Sequence, residues 1–339
     1  MNTPYSPWQK TPAQDRGIAL ITVLLIVAIC ALLATQLISE QQIQFRRTLN
    51  QLQGDRAFHY VLSVEEWGRE LLIRDAEANQ QDDANDDWAQ LLPPLKVDGG
   101  LMLLAAEDMH GRFNINNLVI NGVADDKQIQ IFQRLLENLD LDPNLVWPLV
   151  DWLDKDSEPK ATYGLEEDGY SNLTPPYRPA NQAMGSPDEL AAVSGFTAEI
   201  QRKLIDQIVT LPTPKDGTQE VTLININFIS PPLLRALSEK MQTANTEALI
   251  EHATEEGFSA VDDFLIALND TKQSISGLAS SLDKTLLSVQ SEYFLLNYQG
   301  SFKPILLKNH SILHRQANKT VRIIHRAQGD YYNVATAIY

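Results

Sequence analysis

Seven carboxylates fall within 18 residues in the stretch Asp151-Trp152-Leu153-Asp154-Lys155-Asp156-Ser157-Glu158 and its continuation Gly164-Leu165-Glu166-Glu167-Asp168-Gly169-Tyr170. Asp154, Asp156 and Glu158 alternate as oxygen donors do in a calcium loop, where a hard cation gathers about six to eight oxygens from carboxylates and backbone carbonyls. The stretch is not an EF-hand. Counted from Asp154, the sixth position is Pro159 rather than glycine and the twelfth is Leu165 rather than glutamate. Any cation site is therefore irregular, with the two acidic segments pinched together across the turn from Lys160 to Gly164. A solvated acidic loop satisfies the same spacing.

Catalytic readings find less support. Two carboxylates can run a glycosidase, but their separation does not follow from a crowded run. The six histidines form no His-Glu-x-x-His, and neither Gly-x-Ser-x-Gly nor a phosphate-binding Gly-Lys-Ser/Thr occurs. A membrane-anchored hydrolase remains the weakest alternative.

The elements that must position the acidic stretch are mostly helical. From Asn114 to about Leu287 the pattern is that of short helices with punctuated starts. Ser186-Pro187-Asp188-Glu189 is a capping box with proline at the first helical position, and Ser259-Ala260-Val261-Asp262 is a looser second one. Asn114-Ile115-Asn116-Asn117-Leu118 is echoed by Asn225-Ile226-Asn227-Phe228-Ile229, a weak internal repeat in which each copy precedes a helical segment. Such turns resemble helix-hairpin-helix and SAM-like modules, so a membrane-anchored DNA-uptake protein is a second alternative. Charge argues against it. Arg112 to Thr213 holds 16 Asp or Glu against 8 Lys or Arg, and the whole chain of 339 residues carries a formal charge of −17. The basic footprint of a phosphate binder is missing, and no nucleic-acid partner is expected.

Strands are expected on both sides of this helical block. Leu101 to Ala106 follows Gly99-Gly100 as a buried strand, Val221 to Ile224 is a weaker candidate, and Tyr293 to Tyr298, Ile305 to His314 and Val321 to His325 form a meander. Upstream, Phe45, Leu49, Leu52, Phe58, Val61 and Leu62 keep helical spacing, which predicts one long helix to about Arg74 with Gly54 and Gly68 as weak points; a broken pair of helices fits the same residues. Asp75 to Asp87 reads as a solvated loop. The fold class is α+β: a long N-terminal helix packed on a small antiparallel sheet, interrupted by a large inserted α-helical domain.

The helix begins in an apolar run. From Ile18 to Ile38 only Thr22, Thr35 and Gln36 are polar. Twenty-one helical residues reach about 32 Å, enough for a hydrocarbon core of about 30 Å. The small residue Gly17 precedes the run, so cleavage after it, as in a secretory signal peptide, is not expected. Cys30, the single cysteine, lies inside the run as an apolar filler and excludes an intrachain disulfide. Basic residues flank both ends, Lys10 and Arg16 before, Arg46, Arg47 and Arg56 after, so charge does not fix topology.

A polar leader ending in Arg16-Gly17, followed by Ile18 to Val27, resembles a type IV prepilin signal. That resemblance implies cleavage by prepilin peptidase between Gly17 and Ile18, methylation of the new N-terminus, and retention of the helix. Most such proteins carry glutamate where this chain has Thr22, whose hydroxyl can bond a carbonyl four residues back. The missing carboxylate suggests a subunit without a neighbour on one side. With the chain length and the Asp-Trp-Leu-Asp-x-Asp, Gly-Leu-Glu-Glu-Asp-x-Tyr and Pro175-Pro176-Tyr177 motifs, this resembles the minor pseudopilin K family of type II secretion.

Membership implies a non-enzymatic subunit at the tip of the pseudopilus that promotes filament initiation and protein export. It implies a complex with minor pseudopilins I and J, a major pseudopilin filament beneath, and a single inner-membrane pass with the body in the periplasm. Exported proteins are further candidate partners. A structural calcium is also implied, with Asp154, Asp156, Glu166, Glu167 and Asp168 as candidate ligands and Asp151 at a turn or helix end. The organisation expected is a leader over 1–17, an assembly helix over 18–38, helix, loop and first strand over 39–112, the inserted helical domain over 113–290, and closing strands over 291–339.

Overall fold

The computed structural model describes residues 14–212, 221–270, 277–302, 305–329 and 331; the expected leader lies outside the described residues as far as residue 13. The chain divides into two units, residues 1–59 and 60–339.

The first unit is occupied by helix α1, which runs Gln14–Ala78 and so continues into the second. It is long and apolar enough to cross a membrane: the best window has a mean hydropathy of 3.0 and none of it is covered by protein. Ile18, Leu24, Leu32 and Leu37 all stand exposed, which suits a surface meant for lipid or for other helices. The two threonines within the span satisfy their hydroxyls locally, Thr22 Oγ1 donating to Ala19 O at 2.9 Å and Thr35 Oγ1 to Leu32 O at 2.8 Å. The acceptor lies three residues back rather than four, and the hydroxyl is satisfied either way.

In the second unit α1 remains unbroken through Gly68 and ends four residues beyond the expected Arg74. Gly68 is present for contact rather than for bending. A Cβ there would lie 2.7 Å from Leu296 Cδ1 and 3.4 Å from Leu104 Cδ2, so the missing side chain lets the helix meet the sheet. Gly68→Val is expected to cost about 1–3 kcal/mol through overpacking. Gly54→Ala, where a Cβ meets nothing, should be neutral or stabilising by up to ~1 kcal/mol. Urea midpoints of the two variants check the contrast.

The sheet has five antiparallel strands in spatial order: β1 (Leu95–Val97), β2 (Gly100–Asp108), β3 (Tyr293–Phe302), β4 (Ile305–Arg315) and β5 (Val321–Gln328). β2 and β3 are partners, from Leu101 opposite Ser301 to Asp108 opposite Phe294, although the helical region separates them in sequence. The expected strands are all found, longer by one to four residues, except that Val221 to Ile224 shrinks to a bridge at Ile224–Asn225. β1 was not anticipated. It is too short for a periodic signal, but the Asp98-Gly99 turn that folds it onto β2, with Gly99 at φ +82°, is a hairpin signature.

Asp75 to Asp87 is not a solvated loop: α1 takes its first residues, and Asp82 and Asp83 are buried. Asp82 is held by contacts that come from distant sequence, as described below, which local polarity could not reveal.

The Asn-Ile-Asn repeat is a structural repeat. Phe113–Asn114 pairs in parallel with Ile208–Val209, and Ile224–Asn225 pairs in parallel with Leu287–Ser288, so each copy opens and closes a module. In both, the first asparagine turns the chain, Asn114 Oδ1 accepting from Asn116 N and Asn225 Oδ1 from Asn227 N. The second clamps a remote backbone. Asn116 donates to Met184 O and accepts from Met184 N at 3.0 and 2.8 Å; Asn227 does the same with Phe258 at 3.0 and 2.7 Å. Each clamped residue stands just before a short helix, Pro187–Ala192 with its capping box complete and Val261–Asp270. These asparagines are buried and spend their amides internally, which removes them from any nucleic-acid surface.

Candidate metal centre

The acidic stretch sits in the first module. Helix α2 (Val146–Leu153) packs its apolar residues into the module core and carries Asp151 on its last turn. Asp151 is fully buried and folds the return segment: its carboxylate accepts the Lys160 backbone N–H at 3.0 Å, and burial pushes its pKa up to about 6. Gly164 completes the turn, since a Cβ there would collide with Asp151 Oδ2 and the Lys160 backbone. Asp151 is thus an organiser at a helix end, as expected. Gly164→Ala is expected to displace this turn and cost about 1–3 kcal/mol, read as a lowered unfolding temperature.

Asp154 follows as the residue capping α2, and Glu166 precedes helix α3 (Glu167–Ser171). The turn brings them together with Asp156, so that one carboxylate oxygen from each of the three lies within 4.8 Å of the others. Asp154 is 1% exposed and Glu166 5%, and none of their four carboxylate oxygens accepts a hydrogen bond. Burial, then repulsion from Asp151, Asp154 and Asp156, pushes the Glu166 pKa up to about 7; burial and then Asp156 raise that of Asp154. Two buried carboxylates with no donors are costly unless protonated or matched by a cation.

The nearest positive charge is Lys160, with Nζ 2.7 Å from Asp156 Oδ2 and 3.5 Å from Asp154 Oδ2. Its hydrogen bond lowers the Asp156 pKa. Lys160 was not expected in the cluster, because residues 154–160 are not helical and a spacing of four carries a pairing rule only on a helix. Of the remaining candidates, Glu167 pairs with Arg178 at 2.9 Å and Asp168 is exposed; neither joins the cluster. Below the loop Trp152, Tyr170 and Tyr177 pack edge-on or tilted with centroids 5.2 to 6.5 Å apart. Tyr170 accepts from Ser194 N and Tyr177 donates to Ala192 O, pinning the proline-rich segment to the next helix.

A second group, Asp75, Asp82 and Asp86, lies equally close together but is differently satisfied. Arg315 from β4 donates to Asp75 at 3.0 Å, to Asp82 and to Ser291 O at 2.7 Å, with its guanidinium 4.7 Å over the Phe294 ring. Asn79 donates to Asp86 at 2.8 Å, and Asp82 also accepts from Ser291 N at 2.7 Å. The protein supplies its own cation here, joining the end of α1 to the last strands.

A continuous apolar helix, an antiparallel sheet, and helical modules inserted between its second and third strands together define a pilin-like α+β subunit. Comparison with known proteins narrows the class. The family models described as "Type II secretion system (T2SS), protein K" match residues 111–213 and 224–290, which coincide with the two modules. Type II secretion system protein K of Pseudomonas aeruginosa is 31% identical over 326 residues, 93% of each chain. That of Aeromonas hydrophila is also 31% identical, over 82% of this chain and 86% of its own. The chain belongs to the type II secretion system protein K family. Its fold matches a solved structure, the GspK–GspI–GspJ complex from enterotoxigenic Escherichia coli, with a TM-score of 0.72 at 23% identity, over 84% of this chain and 99% of that one.

Proposed function

We propose that this chain is a minor pseudopilin that caps the type II secretion pseudopilus, bound to its own minor pseudopilins I and J. The observation that carries the reading is the pairing of a helix fit for a membrane with a body whose fold matches the solved complex over nearly all of that chain. Thr22 adds to it. A threonine bonded to Ala19 offers no carboxylate for the amine of a subunit above, so the helix can end a stack but not continue it. The helical modules, which interrupt the sheet, add bulk that suits a terminal position. The role is assembly rather than catalysis.

In this reading prepilin peptidase cuts between Gly17 and Ile18, the helix stays in the inner membrane, and the body stands in the periplasm above the major pseudopilin filament. A structural calcium is part of the proposal. Four orphan oxygens on Asp154 and Glu166, beside Asp156, fit a hard cation that would neutralise them and leave Lys160 a competitor for the same oxygens.

Co-expression of the full-length chain with its cognate I and J subunits in detergent tests the assembly. One complex containing all three is expected. Elution of this chain alone, with I and J remaining together, would refute it.

A further inference from the structure

The sheet has two edges of different character. β1 is three residues long and follows Pro93-Pro94, which leaves little edge to pair with. β5 is eight residues long and, among the described residues, pairs with one strand only, β4; Arg69 Nη1 donates to Val321 O at its first residue, at 3.5 Å. A long edge of this kind is a template for another strand.

Its charge is opposite to that of the molecule. The chain carries −17, yet from Tyr293 through Gly329 there is no Asp or Glu, against Lys303, Lys308, Arg315, Lys319, Arg322 and Arg326. Two of these are committed internally, Arg315 as above and Arg326 to the buried Glu65 at 2.9 Å. Lys319 and Arg322 are exposed and make no ion pair among the described residues. Between the arginines Ile324 is 42% exposed; the register shift opposite Ile312 and Leu313 leaves it without a partner on β4.

We propose that the outer edge of β5 docks an acidic extended segment of a partner protein, which adds to the sheet as a sixth strand. Charge decides the occupant. A second copy would bring another Lys319 and Arg322 to the same edge, from a segment with no Asp or Glu between Tyr293 and Gly329, and like charges facing across strands are unfavourable. An acidic segment is repelled by most of this molecule and attracted here, so the edge is both its landing point and its selectivity. Backbone pairing supplies the geometry, and Ile324 offers one apolar contact at the centre. The inference does not depend on where the chain stands in the filament.

The test uses the full-length chain in detergent and fluorescein-labelled peptides of the length of β5, alternating Glu with Val. A Lys/Val counterpart and a Glu/Val peptide N-methylated at alternate residues serve as controls. Anisotropy should show the acidic peptide bound about tenfold or more tighter than the basic one. The preference should reverse in Lys319→Glu/Arg322→Glu, both exposed positions that leave the core untouched. N-methylation should abolish binding, and the peptide should slow hydrogen exchange of the amides of residues 321–328. Absence of binding, binding indifferent to the charge reversal, or equal binding of the N-methylated peptide, which would mean charge attraction without strand pairing, each overturns the proposal.

Discussion

Calcium at about a hundred times its dissociation constant is expected to raise the unfolding temperature of this chain by about 5–10 °C over chelator. That corresponds to about 2.7 kcal/mol of linkage at about 2–4 °C per kcal/mol in a domain of this size. Glu166→Gln should remove the response while itself stabilising the ion-free protein at neutral pH, since it replaces a buried carboxylate that accepts no hydrogen bond. The pH dependence has a definite sign. Glu166, Asp154 and Asp151 have pKa values raised in the folded protein, to about 7 for Glu166 and about 6 for Asp151. Between their unfolded values and these, the folded state binds more protons than the unfolded one. In chelator, stability should therefore be highest at acid pH and fall as pH rises toward 7. Calcium should cancel that fall, binding with release of protons and weakening below pH 7. Differential scanning fluorimetry at pH 5 and pH 8, with calcium and with chelator, reads all four conditions. A melting temperature indifferent to calcium at pH 8 would remove the ion from the account.

Arg315→Met is expected to be the most destabilising single change, by about 3–5 kcal/mol, because it strips the cation from Asp75 and Asp82 and leaves their charge buried. Burial and then repulsion from Asp86 and Asp82 already push Asp75 up to about 7, and burial raises Asp82 and Asp86 as well. The loss should therefore be largest at pH 8 and partly recovered at pH 5, where the carboxyls can hold protons. Adding Asp82→Asn to Arg315→Met should restore part of the stability, which a mere packing defect would not allow. Urea unfolding of the single and double variants at both pH values measures the coupling.

The architecture was readable because its signals are periodic. The apolar helix, the strand meander and the inserted helical block each repeat a spacing that a core or a membrane demands. The Asn-Ile-Asn echo was readable as a weak repeat, and its function as a pair of backbone clamps follows only when Met184 and Phe258 are brought back to it. In the acidic stretch, composition named the cluster but not its members. Asp154, Asp156 and Glu166 converge because Asp151 and Gly164 set the return of the chain, whereas Glu167 and Asp168 are carried onto a short helix and away. Nothing local distinguishes Glu166 from Glu167. The Arg315 hub was illegible for the same reason: its acidic partners lie more than 230 residues earlier, in a segment whose polarity reads as solvent-exposed.

Position in the filament tests the central claim most directly. With an epitope tag placed in the helical modules of the full-length chain, pseudopili assembled with all subunits and imaged with gold-labelled antibody should carry label at one end only. Label distributed along the filament would mean that the chain stacks like any other subunit and would contradict the proposed tip role.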